Sequence, residues 1–226
     1  MKRFFSSRAR SITTFGFFAF TLILFTVLTD AGAELFTRWH GVVIGICITL
    51  LAIPAHFVGS KIHAMYVVSI VMNSVAMGFM ASAYYSTKGV PSDARDLIPA
   101  ILLPIILMLI CCIILTVLPS AKHPVIAVFG ILELGFIIAS IVFWCIRGGE
   151  FYAFSFFSFV IMSFYTVVLA FTADEEEREL LRDISFGGFG AFFIIALVVI
   201  AIISEGDACD CSGCDCGDCG GGKKKK

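Results

Sequence analysis

Long apolar runs broken by brief polar interruptions set the pattern of this chain. Seven of them stand out: Ile12–Thr29, Gly41–Val58, Ile62–Tyr85, Leu97–Leu118, Val125–Ile146, Phe151–Thr172 and Ser185–Ser204. A hydrocarbon core of about 30 Å takes about 20 apolar residues to cross as a helix, and each run is close to that length. The runs are uniformly apolar rather than alternating, which predicts helices and not barrel strands. A backbone in lipid must also satisfy its own hydrogen bonds. The predicted fold class is therefore all-α: a polytopic helical membrane protein with seven transmembrane helices.

The interruptions carry turn chemistry, as in Gly59-Ser60-Lys61, Pro119-Ser120-Ala121-Lys122-His123-Pro124 and Arg147-Gly148-Gly149. Short connections of this kind predict antiparallel neighbours. The longer ones are Ser86–Asp96 and the charged Ala173–Asp183, which reads as a helix extending into water. Three regions follow: a basic N-terminus over 1–11, a helical bundle over 12–204, and a Cys/Asp/Gly-rich tail over 205–226 that ends in lysines.

Composition supports this outline. Hydrophobic residues make up 59% and charged residues 15%, against about 45–50% and about 25% in soluble domains. The formal net charge of −1 gives no support for a nucleic-acid partner, and the expected surroundings are the lipid bilayer. Lys2, Arg3, Arg8 and Arg10 flank the first run. By the excess of basic residues on cytoplasmic loops, the N-terminus is expected inside a plasma or inner membrane and the tail outside. The first run has a second reading as a cleavable signal, with Phe15–Leu28 as its apolar stretch and Ala31-Gly32-Ala33 as its cleavage triplet. Cleavage would leave six helices.

Candidate chemistry is sparse. Glu133 is the one charged residue inside the seven runs. Intramembrane acids face the bundle interior and mark ion or proton sites, or they form a neutral interhelical hydrogen bond. Gly130, one turn earlier, leaves room beside Glu133 for a helix, a water or an ion. Asn73 lies 12 residues after Lys61, and Glu133 lies 11 after Lys122, which suggests a repeat of the hairpins 41–85 and 97–146. Asn73 is the second ion- or proton-site candidate, although an Asn in such a helix is expected mainly as packing glue that bonds a neighbour. Gly41-Val42-Val43-Ile44-Gly45 and the stripe Ser74, Gly78, Ser82 suit close helix contact, including homo- or hetero-oligomer contact. Pro54, Pro99 and Pro104 can kink their helices, and His56 and His63 are expected at an interface rather than as ligands. In the sixth run, Phe151, Phe154, Phe156, Phe157, Phe159 and Phe164 are expected to face lipid, with Ser155, Ser158 and Ser163 toward protein. Cys47, Cys111, Cys112 and Cys145 are expected to behave as small apolar residues.

The tail has its own chemistry. Cys209, Cys211, Cys214, Cys216 and Cys219 alternate with aspartates and glycines as C-x-C-x2-C-x-C-x2-C. Close thiolates suit a soft cation, Zn or Cu, although the aspartates oppose thiolate formation. Disulfides, acylation or a merely solvated tail are the alternatives. No G-x-S-x-G, H-E-x-x-H or P-loop is present, so no enzymatic activity is expected. Three functions remain: a small transporter or channel-like protein with a midplane polar site, a membrane assembly subunit, or a soft-metal handler working through the tail.

Overall fold

The computed structural model describes residues 7–88, 94–118, 120, 122–147, 153–171 and 177–209. Cys211, Cys214, Cys216 and Cys219 lie outside the described residues, and Cys209 is described only as the last residue of a helix. Among the described residues the chain forms seven α-helices and no strand. They are α1 (Ser7–Leu35), α2 (Arg38–Gly59), α3 (Ala64–Lys88), α4 (Ala94–Val117), α5 (Lys122–Arg147), α6 (Ala153–Phe171) and α7 (Glu177–Cys209). Six contain stretches long and apolar enough to cross a membrane, and α4 contributes a shorter apolar stretch, Ile101–Val117. Large apolar side chains stand outward, among them Ile131 at 72% exposure, Phe186 at 70% and Leu51 at 64%. Such a continuous apolar exterior has no stable place in water. The protein is a polytopic helical membrane protein.

Named contacts fix the helix directions. Gly41 lies against Phe79 and Ala83, Gly45 against Ala76 and Met80, and Gly59 against Tyr66, so α2 and α3 run antiparallel along their whole length. Gly78 meets Phe25 and Leu28, and Gly32 meets Phe79 and Ser82, so α1 and α3 run parallel. At Gly41 the Phe79 carbonyl oxygen would lie 2.7 Å from an added Cβ, and at Gly78 the Leu28 Cβ would lie 2.7 Å away. The small residues let the backbones approach this closely. The GxxxG motif and the small-residue stripe are thus occupied inside the chain, by α3 and α1 respectively.

α1 belongs to the bundle core: Phe18, Leu22 and Phe25 are fully buried against their neighbours. α6 lies at the centre, packed on α1, α4, α5 and α7. This overturns the expected orientation of its phenylalanines. Phe154, Phe156, Phe157 and Phe159 are buried, because a helix with neighbours on so many sides has little lipid face left. Their rings pack on other rings: Phe159 stacks on Phe136 at 4.5 Å, and Phe154 and Phe157 approach Phe25 at 5.2 and 6.4 Å. The lipid-facing role falls instead to α5, whose Ile131, Leu132, Leu134, Ile138, Ile141 and Val142 are exposed. Among the described residues α4 and α5 pack loosely while α2 and α3 pack closely, so the two hairpins suspected of forming a repeat differ in their packing.

Six hydroxyls inside the bundle return to their own helices. Thr26, Thr29, Ser74, Thr116, Ser140 and Ser163 each donate to the carbonyl four residues back at 2.7–2.9 Å. With no water in the hydrocarbon, this bond is the local way to satisfy them.

Candidate functional site

Two polar centres lie inside the bundle, and the helices hold them apart. Glu133 belongs to α5 and points at α6. Only 3% exposed, it accepts a hydrogen bond at Oε1 from Thr166 Oγ1 at 2.6 Å. Thr166 Oγ1 also lies 3.9 Å from Met108 Sδ on α4. Gly130 leaves open space around its Cα. The arrangement is an interhelical hydrogen bond that ties α5 to α6. Asn73 belongs to α3 and borders α7, and α3 and α5 are not among the closely packed helix pairs. Glu133 and Asn73, considered together from the sequence, therefore belong to separate places.

Asn73 departs from its expected role as glue. It is fully buried, yet neither Oδ1 nor Nδ2 has a hydrogen-bond partner among the described residues. Among the described residues the other unpartnered buried side-chain polar atoms are the hydroxyls of Thr14, Thr49 and Ser158. An amide leaves two strong groups unsatisfied where a hydroxyl leaves one. Opposite it on α7 stands Gly188, where an added Cβ would meet Asn73 Cβ and Nδ2 at 3.4 Å. The glycine thus opens α7 to the amide.

One turn from Asn73 runs a chain of hydrogen bonds that the sequence did not announce. Ser69, four residues before Asn73, donates to the Ala52 carbonyl at 3.2 Å. Its single proton is thereby used, so Ser185 donates to Ser69 Oγ at 2.9 Å. With that proton also used, His56 Nδ1 must be the donor in its 2.8 Å bond to Ser185 Oγ. The relay fixes the tautomer of His56 and leaves Nε2 as the other nitrogen. Phe57, Tyr66, Phe186 and Phe189 surround the imidazole at ring distances of 5.9, 5.5, 6.4 and 5.6 Å. His56 itself is half-buried near the end of α2. The polar line therefore runs from an accessible imidazole through two buried serines to the turn that carries Asn73 and Gly188. Ser69 and Asn73 at four-residue spacing were the visible trace of it in the sequence. Ser185 and His56 join only when α2, α3 and α7 come together.

On the other side of α3, Ser74 Oγ lies 3.0 Å from Thr21 Oγ1, which in turn lies 2.7 Å from Tyr165 Oη. These bonds link α1, α3 and α6 and leave none of the three hydroxyls orphaned. Among the described residues no group of three His, Cys, Asp or Glu side chains is placed to hold a metal ion. Of the tail cysteines proposed for Zn or Cu, the structure describes only the backbone end at Cys209.

No protein-family model, no curated protein and no solved structure matches the chain.

Proposed function

We propose that the protein is a small, non-enzymatic transporter or channel-like membrane protein whose solute contacts Asn73 between α3 and α7. The observation that supports this reading is the fully buried amide with both ends unpartnered. Burying such a group without hydrogen bonds costs about 1–3 kcal/mol, and in an apolar helix a leucine would avoid that cost. A passing solute that both donates and accepts hydrogen bonds would recover it. Ser69, Ser185 and Gly188 complete the surroundings, with His56 one step farther out. Ser69, Ser185 and Gly188 carry no formal charge, and the charged Arg182 and Asp183 stand near His56 at the outer end, so a small neutral polar solute such as urea or acetamide fits the place beside Asn73 better than an ion.

Reconstituted vesicles mixed rapidly with a hyperosmotic solution of urea or acetamide shrink and then re-swell as the solute enters, which light scattering follows. The reading predicts re-swelling faster than in protein-free vesicles, with a larger polar solute such as glucose entering no faster than through lipid. Equal rates with and without protein for every small amide would reject it.

A further inference from the structure

The polar centre at Glu133 has sulfur beside it. Met108 and Cys111, both fully buried, lie three residues apart on α4 and so share a helix face. Thr166 connects that face to the carboxyl, with Oγ1 3.9 Å from Met108 Sδ and 2.6 Å from Glu133 Oε1. Cys111 lies within electrostatic range of the same carboxyl. A thioether, a hydroxyl and a carboxyl from α4, α6 and α5 therefore meet inside the bundle, with the Cys111 thiol one helical turn from the thioether.

We propose that Met108 and Cys111, backed by Thr166 and Glu133, form an intramembrane site for a monovalent soft cation, Cu(I) or its analogue Ag(I). Sulfur donors select such ions. The tetrahedral set that Zn(II) takes is not available among the described residues, where no three His, Cys, Asp or Glu side chains come together. Side chains three apart on a helix have Cβ atoms about 5–6 Å from one another. A two-coordinate ion would bridge the two sulfurs across that face. Charge favours the same choice. Binding converts Cys111–SH and M⁺ into Cys111–S–M and one H⁺, with no electron transferred and no net charge left in the low-dielectric interior. The Glu133 carboxyl, within electrostatic range of Cys111, is the acceptor for that proton. This site stands on different helices from Asn73, so either proposal can fail alone.

The test uses the full chain with the five tail cysteines changed to serine, because they would compete for the ion. Equilibrated anaerobically with buffered Cu(I) or with Ag(I) and then gel-filtered, this protein should retain one equivalent of metal. X-ray absorption should show a shell of two sulfurs. Met108→Leu or Cys111→Ala should weaken retention at least tenfold. Cys112→Ala, equal in size change to Cys111→Ala, should leave it intact. No retention by the tail-serine protein would overturn the site, as would an oxygen or nitrogen shell around the metal. Should the Met108 and Cys111 variants fail to fold, the absorption spectrum of the tail-serine protein decides alone.

Discussion

Replacing Asn73 with leucine should make the protein more stable, which is an unusual expectation for a buried polar residue. The amide is fully buried, and among the described residues neither of its polar atoms has a partner. Leucine branches at the same carbon, and the facing Gly188 leaves ordinary van der Waals space, with its added-Cβ position 3.4 Å from the Asn73 side chain. The substitution removes an unsatisfied amide, worth about 1–3 kcal/mol, and loses no hydrogen bond. Part of that gain is offset because separated helices in a membrane find other partners for an amide. A net stabilisation of about 1–2 kcal/mol follows, or a rise in Tm of roughly 2–4 °C per kcal/mol for a chain of this size. Reversible SDS unfolding in mixed micelles, followed by circular dichroism, reads the difference. Had Asn73 served as interhelical glue, its loss would cost about 0.6–2 kcal/mol. The two accounts therefore differ in sign, and destabilisation by 1 kcal/mol or more would refute the reasoning that Asn73 is held unsatisfied.

The same unfolding assay checks three other expectations. Thr166→Val removes the donor to Glu133 Oε1 and leaves Ser163 as the hydroxyl bonded to the buried carboxyl, so it should cost about 1–3 kcal/mol, whereas Thr166→Ser keeps the hydroxyl and should cost about 1 kcal/mol for the lost methyl. Gly41→Ala would place a methyl 2.7 Å from the Phe79 carbonyl oxygen and should destabilise by about 1–3 kcal/mol, while Gly135→Ala meets nothing within 4 Å and should be neutral or stabilising by up to about 1 kcal/mol. His56→Phe keeps a ring among Phe57, Tyr66, Phe186 and Phe189 but takes the donor from Ser185, for a loss of about 0.5–1.5 kcal/mol.

The helices were legible because hydropathy over about 20 residues is a local property that lipid enforces. So was the close contact at Gly41, Gly45 and Gly78, since small residues spaced by four have few other uses in such helices. Which face of a helix meets lipid was harder to read. The phenylalanines of α6 are buried because four helices surround it, and that arrangement depends on α1, α4, α5 and α7 rather than on anything within residues 153–171. The partners of the two polar centres were hidden for the same reason. Glu133, the conspicuous charge, found Thr166, which lies 33 positions away in the chain. Asn73, the less conspicuous residue, found a glycine. The His56–Ser185–Ser69 relay spans 129 positions in its first bond and 116 in its second. No local spacing carries such a signal.

The central claim, that Asn73 contacts a passing solute, is tested most directly by comparing wild-type and Asn73→Leu proteins in vesicles of equal protein content, by rapid mixing with urea or acetamide. Burial of the unpartnered amide predicts that the leucine variant folds at least as well as the wild type while its solute-driven re-swelling falls to the rate of protein-free vesicles. Re-swelling in the variant as fast as in the wild type would contradict the account.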